Sequence, residues 1–158
     1  MKNTFKRSGA ALISLVLLLV LAVSAGAASS QNVGVKFWKE RSDKESMANS
    51  GIDPDRTATL TRQANGTYTL TLPVMQVSKL GVTGYLSGLT IGDVTYDGTL
   101  TGDFNKATAV LTIKNLPASV LTGSDVNKSV LVTCNIHMDL QVLGEINTSA
   151  RMCIWNQK

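Results

Sequence analysis

The sequence has little of what metal sites and hydrolytic triads need. His137 is the only histidine among 158 residues, so a site built from several histidines is excluded. A Ser/His/Asp triad would have one candidate base, and no Gly-x-Ser-x-Gly motif presents a nucleophilic serine. The composition therefore argues against most metalloenzymes and against a serine hydrolase, and we expect the protein not to be an enzyme.

The body of the chain also lacks a surplus of positive charge. The formal net charge is +4, but Lys2, Lys6 and Arg7 precede a long apolar run and belong to a leader. Without them the basic count falls from 15 to 12 against 11 acidic residues, which leaves +1. A nearly neutral body offers no electrostatic footprint for a phosphate backbone, so we do not expect nucleic acid as a partner.

The first 27 residues have the pattern of a secretory signal peptide. A basic start is followed by an apolar stretch over 10–23 and by the small residues Ala25, Gly26 and Ala27. The apolar stretch is shorter than the roughly 20 residues that a membrane-spanning helix needs. We therefore expect cleavage after residue 27, a secreted or cell-surface protein, and a single mature domain over residues 28–158.

The mature chain has two cysteines, Cys134 and Cys153. Export permits disulfide formation, and the spacing of the two cysteines suits opposite strands of a C-terminal hairpin. We predict a Cys134–Cys153 disulfide, with two buried thiols as the alternative.

Most of the mature chain has the pattern of short strands. Threonines alternate with apolar residues over 57–61 and 68–72, and the pair Asn65-Gly66 between them is a strong hairpin signal. About eight such segments are separated by turn residues, at 33–38, 57–61, 68–72, 82–89, 94–100, 108–113, 129–141 and 151–155. This spacing predicts an all-β protein with an antiparallel sandwich or barrel.

One polar segment, residues 41–50, interrupts the strand pattern. Ser42 and Glu45 fit a capping box, in which each side chain accepts a hydrogen bond from the other residue's backbone N–H. We predict one or two turns of helix between the first two strands, carrying Met47. Such a helix is either a lid at the mouth of the β-structure or an ordinary crossover.

Residues 33–72 resemble the opening of a NEAT domain, the immunoglobulin-like haem-binding module of bacterial surfaces. In that family a first strand leads into a short helix with a serine, and then into a hairpin ending in a G-x-Y-x-x-x-L strand. Ser46, Met47, Gly66, Tyr68 and Leu72 stand at the matching places. The resemblance implies an antiparallel immunoglobulin-like β-sandwich of about eight strands with a short lid helix, and haem binding as its function.

The C-terminal hairpin departs from that family. NEAT haem sites usually take their iron ligand from a Tyr-x-x-x-Tyr pair in the last hairpin, which here reads CNIHMDLQVLGEINTSARMCIW and contains no tyrosine. A related group, the Shp-type cell-surface haem proteins, holds iron between two methionines, one near the first connection and one in the late hairpin. The resemblance to that group implies Met47 as one ligand and Met138 or Met152 as the other.

Strand alternation ranks the late-hairpin candidates. Along 129–141 it places Met138 on the apolar face and His137 on the opposite face. Pairing Cys134 with Cys153 would put Met138 and Met152 on different faces, so at most one of them is a ligand, and we favour Met138. A methionine on an apolar stripe is also ordinary core filler. His137 and Met152 are weaker candidates. For a haem pocket the sequence offers Ser46 together with apolar walls from Val74, Met75, Leu80 and Val82.

The resemblance thus implies haem as the cofactor, captured and passed on, with another haem-transfer or cell-surface protein as a further partner. Methionine ligation raises the reduction potential of haem and favours the ferrous state. Two alternatives stay open. The hairpins of GYLSGLTIGDVTYDGTLTG also resemble a calycin-like β-barrel that binds a small apolar ligand. An immunoglobulin-like adhesion or assembly module is the other, and in it Met47 has no ligand role.

Overall fold

The computed structural model describes residues 28–79, 81–139 and 144–158, and the predicted signal peptide lies outside these residues. A single-turn helix of the 3₁₀ type, the lid helix (Met47–Gly51), follows the first strand. Further 3₁₀ turns lie at Phe104–Lys106, Ala118–Val120 and Val126–Lys128. In the described ranges no helix has the length and apolar character to cross a membrane.

The strands are β1 (Ser29–Lys39), β2 (Ala58–Arg62), β3 (Tyr68–Pro73), β4 (Val77–Lys79), β5 (Val82–Ile91), β6 (Val94–Thr101), β7 (Val110–Leu116), β8 (Val130–Met138) and β9 (Glu145–Asn156).

These strands form one antiparallel sheet that closes on itself. The pairing order is β4-β5-β6-β7-β3-β2-β1-β9-β8, and β8 also pairs with β5. Eight strands therefore complete a ring. The short β4 pairs with the first residues of β5, and β6 pairs with the last residues of β5 along the same edge of that strand. Each of the eight predicted segments overlaps a strand, and β4 is an addition that the sequence pattern did not indicate.

The β2–β3 hairpin shows how local sequence builds this sheet. Gly66 has φ +82°, a backbone conformation that glycine adopts without steric cost. The side chain of Asn65 accepts hydrogen bonds from the backbone N–H and the hydroxyl of Thr67. Leu60 and Leu70, paired across the two strands, are both fully buried. The hairpin predicted from Asn65-Gly66 is confirmed.

The two cysteines do not form the predicted disulfide, and both are free and buried. In the β8–β9 hairpin Cys134 lies opposite Thr148, and Val130 lies opposite Met152. Cys153 is therefore five residues out of register with Cys134, a separation of about 17 Å along the strands. A disulfide needs Cα atoms within about 7 Å of each other. The prediction is wrong because the register of this hairpin differs from the one that pairing the cysteines requires.

Burial of the Cys134 thiol predicts a loss of stability in alkaline solution. Burial raises the pKa of Cys134 from 9.0 to about 12, because the thiolate would lose its hydration. The unfolded chain releases this proton near pH 9, so the stability that the neutral thiol contributes is complete below pH 9. It is lost as the pH rises towards 12, by about 1.4 kcal/mol per pH unit.

Urea denaturation between about pH 8 and pH 11 measures this effect. We expect the free energy of unfolding to fall more steeply with pH for the wild type than for Cys134→Ala. The variant serves as the control because it removes this thiol and leaves every other ionisable side chain in place. Parallel pH profiles for the two proteins would contradict the assignment.

Candidate functional site

The lid helix begins four residues later than the capping box predicts. Ser46 is its N-cap, and the Ser46 hydroxyl accepts a hydrogen bond from the Ala48 N–H at 3.3 Å. Glu45 instead forms a β-bridge with Trp38 and a 2.5 Å ion pair with Lys36. Because these contacts hold Glu45 against β1, it cannot occupy the third position of a helix. The predicted Ser42–Glu45 capping box is therefore wrong, while the short helix carrying Met47 is present.

Asn49 anchors the lid helix to an open edge of β1. The strand pairs with β2 only as far as Val33, so Phe37 has no strand neighbour on that side. The Asn49 Oδ1 accepts from the Phe37 N–H at 2.8 Å, and the Asn49 Nδ2 donates to the Phe37 carbonyl at 2.7 Å. The same Nδ2 donates to the Ser46 carbonyl at 3.0 Å. Together with the Ser46 N–H, which donates to the same Phe37 carbonyl at 3.0 Å, the Asn49 amide takes the place of the missing strand and fixes the position of the helix.

Replacing Asn49 with alanine should lower the free energy of unfolding by about 1–3 kcal/mol, because it leaves the Phe37 N–H without its acceptor. Urea denaturation followed by circular dichroism measures the change. Asn105→Ala is a matched control because Asn105 is exposed and uses only its backbone N–H in a hydrogen bond. Its effect should stay within about 0.5 kcal/mol. An Asn49 variant as stable as this control would contradict the anchoring role.

A cavity of about 240 Å³ is lined by the lid helix and by parts of β4, β5, β8 and β9. None of the lining residues carries a formal charge at neutral pH, and most are apolar. Over residues 28–79, 81–139 and 144–158, no cluster of histidine, cysteine and carboxylate side chains is arranged to hold a metal ion. The lining residues are Ser46, Met47, Ala48, Gly51, Val77, Val82, Gly84, Tyr85, Leu86, Ile136, Met138 and Thr148.

The structure brings Met47 and Met138 to this one cavity from segments 91 residues apart. Met47 belongs to the lid helix and is 60% exposed, whereas Met138 is half-buried at the end of β8. Ser46 and Val82, both predicted pocket residues, line the same cavity. Two thioethers, which are neutral and soft donors, therefore belong to a mostly apolar surface.

Three other predicted pocket residues are not part of this lining. Val74 is buried in the core at 2% exposure, and Met75 is 41% exposed at the surface. Neither of these two residues lines this cavity. Leu80 lies outside the described residues.

Neither of the two weaker ligand candidates lines the cavity. Met152 is fully buried in the core, opposite Phe37 of β1 and Val130 of β8, which leaves its sulfur no access to a bound ligand. The ring of His137 packs against that of Tyr85 with centroids 5.0 Å apart, and its Nε2 lies 3.9 Å from Asp139 Oδ1. His137 does not line the cavity that Met138 lines.

Sequence reasoning missed Gly84, which lies in β5 directly opposite Met138. A Cβ atom built on Gly84 would lie 2.7 Å from Met138 Sδ, closer than real contacts allow. The methionine sulfur therefore rests against bare backbone. The sequence did contain one indication of this contact. A glycine inside a strand pattern often marks a place where another group approaches the backbone closely.

The sequence matches no protein-family model and no curated protein. Solved structures do match it. The NEAT5 domain of IsdX2, a B. anthracis hemophore, in complex with heme aligns with a TM-score of 0.53 and 11% identity, covering 83% of this chain and 98% of that chain. A mutant of the same domain, also in complex with heme, aligns with the same values. At this identity the likeness concerns the fold, and it confirms the predicted all-β, immunoglobulin-like class. The chain therefore has the fold of a NEAT domain.

Proposed function

We propose that this protein binds haem in the cavity beside the lid helix, where Met47 and Met138 would hold its iron, and passes the haem to another protein without catalysing a reaction. The observation that carries the proposal is the placement of these two methionines, far apart in sequence, on one apolar cavity. The fold adds support, since similar NEAT domains are known in complex with heme.

The residues present suit this ligand. Val77, Val82 and Ile136 offer apolar surface for a porphyrin, and the thioethers offer neutral donors for its iron. The cavity volume of about 240 Å³ is below the roughly 300–1,000 Å³ typical of pockets that enclose a small molecule. The cavity would therefore cover only part of a porphyrin, as suits a ligand that is later released.

The cavity would also discriminate between iron oxidation states. Bound haem supplies a redox-active iron, and neutral thioethers favour its ferrous state. The cavity lining has no anionic side chain to offset that preference. We further propose that residues 1–27 are a cleaved signal peptide and that the protein acts outside the cell, where a haem donor or acceptor is its partner.

A visible absorption titration of the purified protein with haemin, before and after reduction with dithionite, tests the proposal. We expect a saturable one-to-one shift of the Soret band, and sharp α and β bands after reduction that report low-spin iron. Circular dichroism on the same sample shows whether the protein is folded. A folded protein that produces no Soret shift would contradict haem binding.

A small apolar ligand is the second candidate, favoured by the closure of eight strands into a ring with an apolar cavity. It corresponds to the calycin-like reading of the sequence. A fluorescent fatty acid should then bind saturably while haemin gives no Soret shift. Tight binding of a protein partner without either small molecule would instead support an adhesion or assembly module.

A further inference from the structure

Three cavity-lining residues form a row across three neighbouring strands. Val77 of β4 lies opposite Gly84 of β5, and Gly84 lies opposite Met138 of β8. Residues directly opposite each other on neighbouring strands have their Cβ positions about 5 Å apart, so these three residues are immediate neighbours across the sheet. Its central member has no side chain. The row therefore has a gap between Val77 and Met138, and the Met138 sulfur lies against the backbone at that gap.

We propose that Gly84 is a positioning residue, which sets the place of the Met138 thioether in the cavity by leaving this gap open. The inference rests on the proposed function, in which Met138 is an iron ligand. Any side chain at residue 84 would occupy the space of the sulfur, because even a Cβ atom would lie 2.7 Å from Met138 Sδ. The thioether would have to turn to another rotamer, and its lone pairs would then point elsewhere.

A side chain at residue 84 would also meet the backbone of β8. The same Cβ atom would lie 2.7 Å from the His137 carbonyl oxygen, which cannot move unless β5 and β8 separate. Substitution at Gly84 thus has two effects, one on the sulfur and one on the strand pair. An experiment must distinguish them.

Gly51 provides the matched control. It lines the same cavity, but a Cβ atom built there would meet nothing closer than 3.9 Å, the Val77 Cγ2 atom. Gly51→Ala therefore adds the same methyl group to the same cavity without displacing Met138. Its reduced haem complex should keep the sharp bands because the Met138 sulfur is not displaced, and any change in affinity measures the cost of the added methyl group alone.

The test is a set of haemin titrations, oxidised and reduced, on the wild type, Gly84→Ala, Gly51→Ala, Met138→Ala and the double variant Gly84→Ala/Met138→Ala. We expect Gly84→Ala to lose the sharp bands of reduced haem and to bind haem about tenfold more weakly, as misplacing a ligand does. In the double variant the substitution at Gly84 should change affinity by less than about twofold relative to Met138→Ala alone, since the sulfur that it displaces is already absent.

A tenfold loss from Gly84→Ala in both backgrounds would overturn the inference, because the effect would then come from the strand pair. Haem spectra of Gly84→Ala that match the wild type would overturn it as well. A wild type that binds no haem would overturn the proposed function itself, which is a different result from either of these.

Nuclear magnetic resonance tests the inference without any change at Gly84, should that variant fail to fold. Proton cross-relaxation between the Gly84 α-protons and the terminal methyl and γ-protons of Met138 is expected in the free protein and in the reduced haem complex. Its absence from the haem complex would overturn the positioning role.

Discussion

Replacing either Met47 or Met138 with alanine should remove the sharp α and β bands of the reduced haem complex. Each variant leaves the iron with one thioether, which no longer gives the low-spin state. Haem binding should weaken by about tenfold or more, since even the partners of metal ligands contribute about 10- to 100-fold to affinity. The fold should survive in Met47→Ala, because this side chain is 60% exposed and leaves no core cavity. Haemin titration with optical spectra before and after reduction measures both effects.

Met75→Ala and His137→Ala are the controls. Met75 is an exposed methionine close in sequence to β3 and β4 that does not line the cavity, so Met75→Ala makes the same chemical change outside the site. His137 is the only imidazole in the chain, and its ring packs on Tyr85, a lining residue, without lining the cavity itself. Both variants should keep the sharp bands. Bands that persist in Met47→Ala and Met138→Ala but vanish in His137→Ala would assign the iron to histidine.

The sequence predicts the strands of this fold better than their pairing. Asn65-Gly66 acts on its immediate neighbours, so the β2–β3 hairpin could be predicted from a few residues. The contact that closes the ring joins β5 to β8, for example Leu89 to Cys134. Alternation within each strand carries no information about which distant strand will lie beside it. The three-residue β4 is too short to show any alternation at all.

The register of the last hairpin shows how one false contact alters a predicted site. Pairing Cys134 with Cys153 shifts the strands by five residues, an odd number, and an odd shift moves every side chain of one strand to the other face. That shift led to the prediction that Met138 and Met152 face opposite sides. In the structure Met152 and Cys134 both belong to the buried core, and Met138 follows Cys134 by four residues. The two methionines therefore share the inner face and differ in depth.

The candidate site was predictable where it depends on residue type and not where it depends on geometry. Met47 and Met138 were predicted together because of the resemblance to a methionine-ligated group, and the structure places both on one cavity. Asn49 and Gly84 were not identified. The role of Asn49 depends on an unpaired edge of β1, and that of Gly84 depends on which strand lies beside β5. Both properties depend on how distant strands pair in the folded sheet, and local sequence does not determine that pairing.

Met152→Ala should have the opposite effects to Met138→Ala. The Met152 side chain is fully buried in the core cluster, so its truncation should lower the free energy of unfolding by about 2–5 kcal/mol. Met152→Leu keeps most of the volume and should cost less than about 1.5 kcal/mol. The sharp bands of reduced haem should persist in both, because Met152 does not line the cavity.

Urea denaturation and haem spectra on the same preparations separate the two methionines. Met138→Ala should lose the bands with a smaller change in stability, since its side chain is only half-buried. Met152→Ala should lose stability and keep the bands in the fraction that is folded. If folded Met152→Ala also lost the bands, the haem would lie deeper in the barrel than the cavity beside the lid helix, and the assignment of Met138 would be wrong. In either outcome the two methionines have the same chemistry and the same sheet face, and only their depth of burial differs. Depth is the property that the sequence does not show.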